Sequence, residues 1–262
     1  MLNYRDLESI AKLKRLSLTN TEKDYLQDMM LFSLYSNLGK ELVFKGGTAL
    51  YKMYKLNRFS EDLDFTLNQK INIEKISSKI ISDLMLLNIK GKVKETKKFM
   101  GGINIRFLLN GPLYKGSRET QCFIPLNISK REHTLLEPKK ELIISLYKEI
   151  PNFEVFVMQE REILAEKVRA IFQRQKPRDI YDLWFLLMKK NIPLVKEIIS
   201  KKLDLYNIKF SFEEFKDRVE KMRGLWNTDL KNLALNDLND FDKVKKEVIK
   251  KLKEMGRNKE AK

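Results

Sequence analysis

A glycine pair placed directly after an apolar run, with two aspartates following in an alternating segment, limits this chain more than any other feature. The first string is Phe44-Lys45-Gly46-Gly47-Thr48-Ala49-Leu50 and the second is Arg58-Phe59-Ser60-Glu61-Asp62-Leu63-Asp64-Phe65. Glu41 to Phe44 is short, apolar and ends on glycine, which reads as a strand, and Thr48 to Leu56 reads as a helix. Glycine lets the backbone come close to a phosphate, and a helix N-terminus aims unpaired N–H groups at an anion. Thr48 adds a hydroxyl. Asp62 to Leu67 alternates polar and apolar residues and reads as a second strand, with both carboxylates on one face and Leu63 and Phe65 facing a core. Two carboxylates so close repel unless a cation lies between them. A divalent metal relieves that repulsion, and two metals can bridge an attacking oxygen and a leaving phosphate. Each half alone has an ordinary explanation, since Gly-Gly-Thr suits many turns and acid pairs guard exposed strand edges. Together they describe a triphosphate and its metal held side by side.

The rest of the composition narrows that reading. There is one cysteine, Cys122, and one histidine, His133. An intrachain disulfide and any Cys- or His-rich metal centre are excluded, so a metal here is hard and held by carboxylates, Mg²⁺ or Mn²⁺. Lysine and arginine number 52 against 36 acidic residues, a net charge of +16. Such an excess fits a polyanionic partner, most simply nucleic acid, although a solvated Lys/Glu surface gives a similar composition. No run of about 18 apolar residues occurs and the N-terminus lacks an apolar leader, so a soluble cytoplasmic protein with no membrane partner is expected. His133, in a polar stretch, is expected at the surface.

Along the chain, residues 5 to 37 have helical spacing, with Thr19-Asn20-Thr21-Glu22 as a helix start. Ile73 to Leu87 is an amphipathic helix. Val93 to Phe99, Ile103 to Leu109 and Gln121 to Ser129 read as strands, with shorter ones expected at Leu142 to Tyr147 and Phe153 to Met158. From Gln159 the pattern is helical, interrupted at Pro177 and Pro193, and the tail from Val244 to Lys262 is a Lys-rich amphipathic helix. Two domains follow: an α/β lobe with N-terminal helices over 1–158 and a helical lobe over 159–262. Two packed lobes would form a cleft suited to a ligand.

Gly47-Thr48, then Asp62-Leu63-Asp64-Phe65, resembles the signature of the polymerase β-like nucleotidyltransferase superfamily. The fuller strings, with Ile163-Leu-Ala-Glu-Lys-Val-Arg-Ala170 and Arg178-Asp-Ile-Tyr-Asp-Leu183, closely resemble the AbiEii/AbiGii toxin family, which includes the MenT-type toxins. The resemblance covers about residues 40 to 190. It implies an α/β (α+β) fold with a mixed sheet and helices, followed by a C-terminal helical lobe. It also implies that Gly46, Gly47 and Thr48 contact the triphosphate, that Asp62 and Asp64 bind Mg²⁺, and that Lys167 neutralises phosphate charge. Asp179 or Asp182 would complete the catalytic site. The implied function is an Mg-dependent toxin that transfers NMP from a nucleoside triphosphate to RNA, with a tRNA 3′ end as the leading acceptor and a cognate antitoxin, a winged-helix protein being the candidate, as partner.

The residues themselves leave alternatives open. Asp179 falls in the first turn after Pro177, where a carboxylate stabilises a helix without any catalysis. Lys167 and Glu166 border the apolar stripe Ile163, Leu164, Val168 and Ile171, and a solvated Glu/Lys face would look the same. Arg58 suits bidentate phosphate binding, and Ser60 is expected on the strand face of Asp62 and Asp64; loop polarity explains both equally. Tyr181 and Trp184 are expected in the core. One departure stands out. Superfamily members commonly carry a third carboxylate on a later strand, and Asn127 occupies its expected place. Either Asp179 or Asp182 supplies the third carboxylate, with Glu132 a further candidate, or the base is dispensable. The competing functions are a nucleotidyltransferase with a small-molecule or protein acceptor, and a non-catalytic nucleic-acid binder with a degenerate site.

Overall fold

The computed structural model describes residues 1–257; the end of the expected Lys-rich tail, 258–262, lies outside the described residues. The N-terminal helical stretch forms two helices, α1 (Tyr4–Lys14) and α2 (Leu18–Tyr35), separated where Arg15 takes a left-handed conformation. The second starts earlier than expected because Ser17 caps it, its hydroxyl accepting from the Asn20 N–H at 3.1 Å. Strand β1 (Leu42–Lys45) runs straight into α3 (Gly46–Tyr54), and β2 (Leu63–Leu67) and α4 (Ile73–Leu86) follow. The later strands are β3 (Gly91–Phe99), β4 (Gly102–Leu109), β5 (Cys122–Ser129), β6 (Lys139–Ile143) and β7 (Phe153–Val157).

These strands make one seven-stranded mixed sheet in the order β3-β4-β5-β2-β1-β7-β6. β2 is antiparallel to β1 and parallel to β5, so the aspartate strand is central. One face carries Phe44, Phe65, Ile105, Phe107, Ile124, Leu126 and Ile128, all buried. Along β5 the burial alternates strictly, so its other face is only half-covered.

Two expectations need correction. β6 ends at Ile143 rather than continuing to Tyr147, because the Tyr147 hydroxyl turns inward to donate to buried Asp24 at 2.6 Å. β2 begins at Leu63, so Ser60 and Asp62 precede the strand, and the expected common strand face for Ser60 does not exist.

The chain divides into two compact units: Met1–Lys55 with Phe59–Met158, and Leu56–Arg58 with Gln159–Lys262. The second is built from α5 (Glu160–Gln173), α6 (Pro177–Trp184), α7 (Lys196–Asp204), α8 (Phe212–Glu220), α9 (Trp226–Leu230) and α10 (Phe241–Arg257). Pro177 occupies the first turn of α6, where its missing N–H leaves no bond unmade. Val168, Ile171 and Phe172 are buried, with the Phe172 ring against Phe215, while Tyr181, Trp184, Trp226 and Phe241 form a chain of ring contacts. Tyr181 and Trp184 are core residues, and His133 is exposed.

Candidate active site

In the first unit the site is assembled by strand register. Lys45 on β1 lies beside Asp64 on β2, and Asp64 lies beside Asn127 on β5. Asn127 therefore stands where the third carboxylate was sought. Its side-chain amide donates to Asp64 Oδ1 at 2.9 Å, fixing the carboxylate's orientation. The other oxygen, Oδ2, closes against Gly46. A Cβ on Gly46 would stand 2.6 Å from it, and Gly46 itself has φ +75°, a conformation that side chains oppose. Glycine is thus required here twice, by space and by backbone.

Gly46 opens α3, whose cap residue Lys45 makes no side-chain cap bond to the first turn; the first turn also holds no acidic residue. Its leading N–H groups carry the positive end of the helix dipole, beside the Lys45 ammonium and the Asp64 carboxylate. Lys45 is buried and lies 3.7 Å from Glu132, which is also buried. Thr48 is fully buried and its hydroxyl donates to the Asp62 carbonyl. That bond satisfies a peptide oxygen outside the ladder and fixes the segment that carries the acids. The Gln27 amide also donates to this segment, to the carbonyls of Ser60 (3.0 Å) and Glu61 (2.9 Å), and Lys23 pairs with Glu61 at 2.5 Å. Sequence reasoning missed these supports, which act through backbone carbonyls and leave no motif.

Behind them lies a buried charge network that was also missed. Lys52 on α3 donates to Asp24 and Asp28 of α2, each at 2.6 Å. Lys14 and Tyr147 complete the surroundings of Asp24. Burial alone would raise the Asp24 pKa, but Lys52 and Lys14 hold it down to about 2. Asp28 goes the other way, raised by its burial. The spacing of Asp24 and Asp28, one turn apart on a helix buried nearly all round, was the available signal.

The second unit holds its own cluster. Arg58 grips Asp182 bidentately, Nε to Oδ1 at 2.7 Å and a terminal nitrogen to Oδ2 at 2.6 Å, with both side chains buried. Lys167 lies 2.7 Å from Asp182 and 3.0 Å from Asp179. Arg174 forks onto both oxygens of Asp179. Burial opposes charge on these groups. Even so, Lys167 and Arg174 hold the Asp179 carboxyl well below the usual carboxylate range, and Asp182 and Asp179 push the Lys167 ammonium up. Lys167 is charged and nearly buried at 6% exposure, so it does not belong to a solvated face. The two carboxylates have their oxygens engaged by cations, as has the Arg58 fork by Asp182.

Among the described residues, no group of three or more His, Cys, Asp or Glu side chains is gathered as a metal centre. The carboxylate that stands beside Gly46 is that of Asp64, and carboxylate oxygen is a hard donor suited to Mg²⁺ or Mn²⁺ rather than to a softer ion.

Comparison with known proteins identifies the fold and the family. A protein of Aquifex aeolicus (strain VF5), aq_aa25, is 28% identical over 194 residues, which span 69% of this chain and 79% of that one. Solved structures share the fold, two of them as follows. MenT4, a nucleotidyltransferase toxin of Mycobacterium tuberculosis H37Rv, superposes with TM-score 0.64 at 18% identity, covering 92% of this chain and 85% of its own. JHP933 of Helicobacter pylori gives TM-score 0.59 at 23% identity, covering 94% and 98%. The family model for the nucleotidyl transferase AbiEii toxin of type IV toxin–antitoxin systems matches residues 30–247. The match embraces both the glycine–aspartate unit and the Lys167 cluster, and this chain belongs to the AbiEii nucleotidyltransferase toxin family.

Proposed function

We propose that the protein transfers a nucleoside monophosphate from an NTP to the terminal hydroxyl of RNA, most simply a tRNA 3′ end, and that a cognate antitoxin restrains it. The observation that carries this reading is the placement of Asp64, held by Asn127 on one oxygen and closed against Gly46 on the other. The backbone N–H groups of Gly46 and Gly47 bind the triphosphate at the start of α3, and Lys45 adds positive charge there. Thr48 acts through Asp62, by holding its carbonyl. Asp62 and Asp64 would hold a divalent cation, which would stabilise charge on the transferring phosphoryl group and the departing pyrophosphate. By family resemblance, Lys167 serves the nucleotide phosphates. Asp179 and Asp182 keep it protonated and oriented, a positioning role in which neither needs to ligate metal. Arg58 then acts by holding Asp182. The net charge of +16 supports a nucleic-acid acceptor. No helix among the described residues is long and apolar enough to cross a membrane, in keeping with action in the cytoplasm.

The test is incubation with total tRNA, Mg²⁺ and each α-labelled nucleotide, with Asp64→Asn alongside. Label is expected in RNA with the native chain and at least about a hundredfold less with the variant; growth arrest on expression should vanish with it. That an amide, Asn127, stands where a third carboxylate was sought favours one other reading, a nucleic-acid binder without catalysis. Growth arrest that persists unchanged in Asp64→Asn, with no label transferred, would establish that reading instead.

A further inference from the structure

The register that joins Lys45, Asp64 and Asn127 continues outward. Asn127 on β5 is the partner of Asn104 on β4, and Asn104 is the partner of Lys97 on β3, the outer strand of the sheet. A row of polar side chains thus crosses the half-covered sheet face from the candidate carboxylate to the sheet edge. The next row on this face holds Pro125, Arg106 and Glu95, and the one beyond it Phe123, Leu108 and Lys92. Pro125, Phe123 and Arg106 are all half-exposed, and the Arg106 guanidinium sits 6.0 Å from the Phe123 ring centre. At the far end is a cavity of about 450 Å³ lined by Lys92, Lys94, Leu108, Tyr114, Arg118 and Gln121. It combines three cations with an aromatic ring.

This pattern differs from a generally basic surface in two respects. Its cations gather at one end of one sheet, and the half-exposed apolar residues Phe123 and Pro125 lie beside them. Glu95 pairs with Lys97 and Arg106 at 3.1 and 3.2 Å, so those two are partly neutralised, whereas Lys92, Lys94 and Arg118 surround the cavity. Exposed apolar surface, spaced cations and aromatic rings are what a single nucleic-acid strand needs, with phosphates on the cations and bases against the rings. A duplex has its bases stacked inside and has no use for the apolar surface or the Tyr114 ring.

We infer that the outer face of β5, β4 and β3 is the track for a single-stranded RNA end, which runs from the Tyr114 cavity along Arg106 and Asn104 toward Asp64. This rests on the proposed transfer to RNA and adds to it where the acceptor lies and that it must be unpaired along the track. A track of this kind takes on the order of four nucleotides, which suits a short single-stranded overhang on a structured RNA.

Binding of a fluorescent single-stranded RNA oligonucleotide, followed by anisotropy over a salt series with the full chain, tests the inference. The triple variant Lys92→Ala, Lys94→Ala, Arg118→Ala is compared with a control that removes three exposed lysines of the second unit, Lys201→Ala, Lys216→Ala, Lys221→Ala. The track variant is expected to bind about tenfold more weakly or worse, with the slope of log affinity against log salt reduced by about 2, since each phosphate no longer neutralised removes about 0.7 from it; the control should change little. Tyr114→Ala should weaken single-stranded binding about tenfold and leave duplex binding unaltered. Equal losses in track variant and control, or tighter binding of blunt duplex than of single strand, would overturn the inference. So would a track variant that binds RNA normally but no longer retains its antitoxin, which would make the face a protein site. Nucleotide binding keeps the two claims apart. Mg²⁺-dependent NTP binding that survives in the track variant while RNA affinity is unchanged removes the track alone, whereas NTP binding absent from the native chain removes the transferase reading beneath it.

Discussion

Gly46 concentrates the site's requirements in one residue. Its positive φ and the 2.6 Å at which a Cβ would meet Asp64 Oδ2 both forbid a side chain. Gly46→Ala is expected to cost about 1–2 kcal/mol of stability from the left-handed backbone alone. It should also displace Asp64, so that transfer falls far more than stability does; a thermal melt beside the label-transfer assay separates the two. Glycine before a helix was legible in the sequence as a phosphate turn. Its second purpose, room for a carboxylate from the neighbouring strand, was not, because it depends on the antiparallel register of β1 and β2. Thr48 shows the same limit. Its place in the motif was evident, but the bond to the Asp62 carbonyl belongs to a backbone path that no spacing rule specifies. Asn127 was legible as the odd member, and the structure shows what an amide does there that a carboxylate would not: it donates to Asp64.

At the scale of elements, strands and helices were legible where periodicity was long and capped, as in α4 and β5. They were misread where a distant side chain intervened, as at Tyr147. The second-unit cluster illustrates what single sequences hide. Lys167, Asp179 and Asp182 were visible as residues of a family motif, while the pairing of Arg58 with Asp182, 124 positions apart, was not. That pair is buried, so removing one member strands a charge. Arg58→Met or Asp182→Asn alone is expected to destabilise by about 3–5 kcal/mol, and Arg58→Met combined with Asp182→Asn by clearly less than the sum. Urea unfolding of the native chain and the three variants measures this directly. An additive result would mean that the pair is not coupled in solution.

For the whole molecule, charge sets the response to acid. Asp24, depressed to about 2, contributes stability that is fully present above its unfolded value of about 3.9 and is lost as pH falls toward 2. Asp179, also depressed, acts in the same direction. Asp28 is raised and works oppositely, its ionised form being disfavoured in the folded state. The chain is therefore expected to lose stability steeply between about pH 4 and pH 2, and Asp24→Asn should flatten that slope while lowering stability at neutral pH. Denaturation midpoints across that interval, followed by circular dichroism, give the answer; a slope unaltered by the substitution would show that Asp24 is not the source. The three residues Leu56–Arg58, which belong to the second unit though they lie in the middle of the first, also bear on how the protein is made. Translation is vectorial, at about 5–20 residues per second. Arg58 therefore emerges on the order of ten seconds before the Asp182 that receives it, and the Asp62–Asp64 segment a few residues on is meanwhile attached to an unfinished anchor. A chain released early, such as the fragment 1–158, is expected to be harmless on expression. For a member of a toxin family this would tie activity to complete synthesis, and leave an interval in which an antitoxin could act first.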